Sequence, residues 1–140
     1  MSTPTRWIVD TNVVVAGLLT GDENAPPAII LDRMLEGRLA CLVSIELLAE
    51  YRTVLLRRAI RQRHGLTETN VDRILEAIAL NAVVVDIAER SETAPDPGDN
   101  HIWQLLASER AAALITGDRL LKEHAPKERR ILTPAEWLDE

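Results

Sequence analysis

Four short apolar runs with no polar alternation constrain this chain most: Trp7-Ile8-Val9, Leu39-Ala40-Cys41-Leu42-Val43, Val83-Val84-Val85 and Ala113-Leu114-Ile115-Thr116. A strand with one wet face alternates apolar and polar residues. A run that does not alternate is covered on both faces, as in a parallel sheet between helices. The intervening segments carry helical signals. Helices are predicted near 13–19 and from Pro26 or Pro27 to about Glu36, where Gly37 ends the second. Ser44 caps a long helix predicted over 45–63, in which Leu47, Leu48, Tyr51, Val54, Leu55 and Ile60 keep helical spacing up to Gly65. Thr67 or Thr69 opens a helix to about residue 80, and further helices are expected over 100–110 and 118–123. Arg130-Ile131-Leu132 reads as an edge strand, and Thr133-Pro134-Ala135-Glu136 has the order of a capping box. Strands alternating with helices imply a three-layer α/β/α domain with a mainly parallel sheet of four to five strands, residues 1–140 forming a single domain.

The charge distribution says more than the total. The net charge is −6, yet the stretch from Tyr51 to Leu66 holds Arg52, Arg57, Arg58, Arg61 and Arg63 and no acid. Arg52, Arg57, Arg58 and Arg61 are therefore candidates for binding an RNA backbone or an acidic partner, against the plain reading of a solvated, cationic helix end. Phe is absent and there is one Tyr, so base-stacking platforms of the single-strand-binding kind are poorly supported. Cys41, the one cysteine, lies within an apolar run and reads as a small buried hydrophobe. No charged-then-apolar leader and no apolar stretch near 18 residues are present, so a soluble, cytoplasmic protein without membrane contact is expected.

Four acids stand where apolar segments meet turns or helices. Asp10 follows Trp7-Ile8-Val9, Asp118 follows Leu114-Ile115-Thr116-Gly117, Asp99 opens a helix, and Glu50 lies on one. A parallel α/β sheet gathers such positions at the carboxyl ends of its strands. Four carboxylates in one pocket are tolerable only with a divalent cation, and hard oxygen donors select Mg²⁺ or Mn²⁺. No cysteine cluster or paired-histidine spacing offers a zinc site. Such a cation can activate water and polarise a phosphoryl oxygen, the signature of phosphate-ester hydrolysis. Each acid also has a local role open to it. Asp10 and Asp99 can cap the helices that follow, Asp118 can be a turn residue, and Glu50 can be helix surface. Glu46 and Glu50 repel at one-turn spacing, which suggests that one of them faces a cation or an arginine.

Val9-Asp10-Thr11-Asn12-Val13-Val14, Ser44-Ile45-Glu46-Leu47-Leu48-Ala49-Glu50, Asp96-Pro97-Gly98-Asp99-Asn100-His101-Ile102 and Leu114-Ile115-Thr116-Gly117-Asp118 occur in order over nearly the whole chain. In these pieces the chain resembles the PIN-domain family, and within it the bacterial toxin-antitoxin toxins related to VapC ribonucleases. The resemblance implies a Mg²⁺- or Mn²⁺-dependent endoribonuclease, often dimeric and often silenced by a small antitoxin. It implies that Asp10, Glu50, Asp99 and Asp118 hold the metal and carry catalysis. Asn12 and Thr116 would orient them, with Asp96 as a further acid beside Asp99. Where family members often carry acids, this chain has Asn100 and Gly98, which thins the acidic set. The reaction implied is in-line attack of metal-activated water on an RNA phosphodiester, leaving a 5′-phosphate and a 3′-hydroxyl. His101 is either a proton shuttle beside Asp99 or a polar residue of a first helical turn.

The rival readings differ in testable ways. A degenerate PIN-like module would bind RNA or protein without cutting, which Asn100 mildly favours. A flap-type DNA nuclease would need a helical arch for which the chain has no room. A haloacid-dehalogenase-like phosphatase needs a second Asp where Asn12 stands. A receiver domain needs a strand-end lysine, and Lys122 and Lys127 are badly placed for it.

Overall fold

The structure, a computed structural model, describes residues 4–87 and 97–140. Five strands form one sheet in the order β3-β2-β1-β4-β5: β1 (Trp7–Val9), β2 (Cys41–Ser44), β3 (Ala82–Val85), β4 (Ala113–Ile115) and β5 (Ile131–Leu132). Every pairing is parallel, with Trp7 opposite Cys41 on one side of β1 and opposite Ala113 on the other. Helices α1 (Thr11–Leu19), α2 (Pro26–Glu36), α3 (Ile45–Leu55), α4 (Arg58–His64) and α5 (Glu68–Leu80) connect β1 to β2 and β2 to β3. Helices α6 (Asn100–Ser108) and α7 (Arg119–Glu123) serve the crossovers that run the other way, and α8 (Pro134–Leu138) closes the chain. Right-handed crossovers in opposite directions put these two helix groups on opposite faces, giving the three-layer α/β/α sandwich.

The central strands are covered on both faces as their composition requires. Ile8, Val9, Leu42, Val43, Leu114 and Ile115 are all buried. Helix α1 lies close on α2 because residue 17 is glycine; a Cβ there would stand 2.5 Å from the Pro27 carbonyl oxygen. Tyr51, fully buried on α3, donates its hydroxyl to the Val9 carbonyl and so ties α3 to the end of β1. Burial pushes the Cys41 thiol up to about 12, which keeps it an inert packing residue.

Two expectations are corrected. The long helix over 45–63 is two helices: α3 ends at Leu55, and Arg57 takes an extended backbone (φ −58°, ψ 137°) before α4 begins. The break is stabilised from a distance. His64 Nε2 lies 2.8 Å from the Leu55 carbonyl, and its Nδ1 accepts from the Leu66 N–H at 2.9 Å. The Val83-Val84-Val85 run is not a buried interior strand: β3 is a sheet edge, with Val83 and Val84 exposed. Among the described residues no helix is long and apolar enough to cross a membrane.

Candidate functional site

Strand order reverses between β1 and β4, and the crevice at their carboxyl ends is where an open α/β sheet takes ligands. Asp10 emerges there. Its backbone N–H still belongs to the sheet, donating to the Ile115 carbonyl at 2.9 Å, while its side chain starts α1 by accepting from the Thr11 N–H at 2.8 Å. The other carboxylate oxygen accepts from Thr116 Oγ1 at 2.7 Å and from Asn12 Nδ2 at 3.1 Å. Thr116, 1% exposed, relays the Asp118 backbone N–H (3.0 Å) toward Asp10, and Asn12 Oδ1 accepts from the Gly117 N–H at 3.0 Å. Asn12 and Thr116 thus fix the Asp10 carboxylate from the chain segment that follows β4.

Asp10 is 5% exposed, and burial raises its carboxyl above the usual range. The donors from Thr116 and Thr11 oppose that rise, and the negative charges of Glu50 and Asp118 add to it. Glu50, from α3, leans over the same crevice: it accepts from the Thr11 hydroxyl and lies 3.4 Å from His101 Nε2 of α6. The His101 hydrogen bond holds the Glu50 carboxyl below its usual range, helped by the Thr11 hydroxyl and by the positive charge of Arg57, with burial opposing. Glu50 in turn raises His101. Of the pair Glu46 and Glu50, it is Glu50 that meets positive charge.

The local roles divide unevenly. Asp118 caps α7 by accepting from the Leu121 N–H at 3.2 Å, so its plain reading is realised through one oxygen. Asp99 makes no side-chain cap bond to α6. All four acids, Asp10, Glu50, Asp99 and Asp118, line one cavity of about 650 Å³. They do not meet as a cluster, however: among the described residues no group of three His, Cys, Asp or Glu side chains stands close enough to hold a metal ion. Two of the acids already have partners within the protein. Thr11 and His101 engage both Glu50 oxygens, and α7 takes one oxygen of Asp118. By donor type the lining suits Mg²⁺ or Mn²⁺, being carboxylate, hydroxyl and amide oxygen throughout its acidic end.

Asp96 lies outside the described residues. Of the arginines singled out by sequence, Arg57 lines this cavity. Arg58 and Arg61 line a second one of about 450 Å³ with Leu66 and Thr67. Arg52 lines neither; its guanidinium is held by Glu68 (2.5 Å) and Asp72 (2.8 Å). Sequence reasoning missed Thr11, which serves Asp10 through its N–H and Glu50 through its hydroxyl, and it missed Arg63, a second cation on the cavity wall. Thr11 carried no usable signal, since its link to Glu50 spans 39 residues. Arg63 was part of the basic stretch, but the break before α4, which decides its direction, was not visible.

A family model described as a PIN domain matches residues 6–120. No curated protein matches the chain.

Proposed function

The chain belongs to the PIN-domain family, and on that premise we propose that it is a Mg²⁺- or Mn²⁺-dependent endoribonuclease, the toxin of a toxin-antitoxin pair acting in the cytoplasm. The supporting observation is the cavity at the β1/β4 crevice, into which four separate elements bring Asp10, Glu50, Asp99 and Asp118. Asp10, Glu50, Asp99 and Asp118 would hold the cation, which when bound neutralises the carboxylates, polarises the phosphate and promotes ionisation of water.

The chain's own residues have distinct tasks in this reading. Asp10 is pre-set by the Thr11 N–H, Thr116 and Asn12, so its carboxylate needs no reorganisation when a ligand arrives. Glu50 is the adjustable member, held by Thr11 and His101 until it turns inward. His101, 3.4 Å from Glu50, would be either a proton shuttle in this reading or a polar residue of the first turn of α6 that steadies Glu50. No side chain serves as a covalent nucleophile, and the products carry a 5′-phosphate and a 3′-hydroxyl. A small antitoxin and a homodimeric state belong to the same reading.

As the side chains stand, the arrangement fits a second reading better: a catalytically degenerate PIN-like module that binds RNA or protein without cutting. The observation behind it is the lack of a ready ligand cluster among the described residues. Incubating the protein with structured and unstructured RNAs, with Mn²⁺ or with excess chelator, separates the two. Hydrolysis that needs Mn²⁺ and disappears in Asp10→Asn supports the nuclease. Binding without hydrolysis under all conditions leaves the module.

A further inference from the structure

The 650 Å³ cavity is not lined by acids alone. Its wall also includes Val15 and Leu19 of α1, Val54 of α3, Ile60 of α4, and the guanidinium-bearing residues Arg57 and Arg63. Neither arginine forms an ion pair among the described residues. On a helix, residues six apart point about 120° away from each other, so Arg57, Ile60 and Arg63 span one broad face of α4 and its N-cap. The break at Leu56–Arg57 sets the direction of that face relative to α3, and the His64 contact to the Leu55 carbonyl holds it in place.

We propose that Arg57, Arg63 and the aliphatic wall of Val15, Leu19, Val54 and Ile60 form a nucleotide subsite. It seats one unstacked base and the phosphate beside it, next to the phosphate held at the acidic end. The inference rests on the RNA-hydrolysis reading for the identity of the ligand. The chemistry is complementary: two guanidinium forks for a phosphate, an apolar slot for a base face, and a pocket volume within the roughly 300–1,000 Å³ usual for small-ligand sites. A base held in a duplex cannot enter such a slot, so the subsite selects single-stranded RNA. With no aromatic side chain in the wall, the base is gripped by aliphatic contact and the phosphate clamp dominates affinity.

The test is fluorescence anisotropy of the full chain with a labelled ten-nucleotide RNA in excess chelator, with hydrolysis in Mn²⁺ assayed separately. Arg57→Gln and Arg63→Gln each weaken binding roughly tenfold and each lower the slope of log affinity against log salt by about one; Arg38→Gln, remote from the cavity, changes neither. Ile60→Thr weakens the intact strand but not an abasic one. Binding by the double arginine variant equal to wild type overturns the subsite, as does equal affinity for duplex and single strand. A wild-type protein that binds no RNA also overturns it. The two claims fail separately. Mn²⁺-dependent hydrolysis with no arginine dependence keeps the nuclease and removes the subsite. Arginine-dependent binding without hydrolysis keeps the subsite and removes the nuclease.

Discussion

At the acidic end of the cavity Asp10 is buried and its two oxygens receive three donors, from Thr11, Asn12 and Thr116. At the basic end Arg57 and Arg63 are exposed and form no ion pair among the described residues. A buried charge is affordable only when the fold supplies its partners, so the acidic end is tied to the stability of the whole sheet edge. The exposed cations cost the fold little and can wait for a partner from outside. The same cavity thus carries a buried charge that the protein satisfies itself and exposed charges that solvent or a ligand can meet.

The largest expected break in that contrast is Asp10→Asn. It abolishes hydrolysis, a loss on the order of 10²-fold or more for removal of a carboxylate that carries several kcal/mol of cation-borne stabilisation. The thermal midpoint shifts little, because relief of the burial and of the repulsion from Glu50 and Asp118 offsets the acceptor oxygen lost to the amide. Hydrolysis retained by the variant would remove Asp10 from the reaction. Thr116→Val comes next: it deletes a hydrogen bond to a buried carboxylate and costs about 1.5–3 kcal/mol of stability, measurable by urea denaturation. A change below that range would mean that Asn12 and Thr11 suffice.

Arg57→Gln and Arg63→Gln each shift stability by no more than about 0.5 kcal/mol, as expected for exposed charges whose interactions, including that of Arg57 with Glu50, are screened by solvent. A larger loss in the same denaturation experiment would show that the arginines serve the fold rather than a ligand. Smallest is the effect of the exposed ion pair between Lys122 and Glu136. Glu136 is held down to about 2 by Lys122, with help from the Thr133 N–H. A depressed carboxyl stabilises the fold above its unfolded value of 4.5, and that contribution fades as pH falls from 4.5 toward 2. Wild type and Glu136→Gln should therefore differ slightly at pH 7 and converge toward pH 2. Curves that stay parallel would mean that the pair contributes nothing.

What could be read from the chain followed the range of the interaction responsible. The capping box of Thr133 and Glu136 is local, and it forms as its spacing requires. The Gly37 stop of α2 is equally local, with φ at 71°. The central strands were legible because unalternated apolar runs have one comfortable environment. Strand order was not, and with it went the position of β3, whose valines look the same at an edge as in the interior. The break between α3 and α4 was hidden for a related reason. Leu56 and Ile60 keep one-turn helical spacing across it, no glycine or proline marks it, and His64 secures it from nine residues away. At the site, the positions of Asp10 and Asp118 followed from the strand ends. That Thr11 and His101 would occupy the oxygens of Glu50 did not, since those contacts exist only after α1, α3 and α6 have packed.

Calorimetric titration of Mn²⁺ into the wild-type chain and into Asp10→Asn tests the acidic end directly. Saturable uptake by the wild type, abolished or much weakened in the variant, is the predicted result. A wild-type chain that takes up no Mn²⁺, or a variant that takes it up equally well, would contradict the assignment of these carboxylates to a cation.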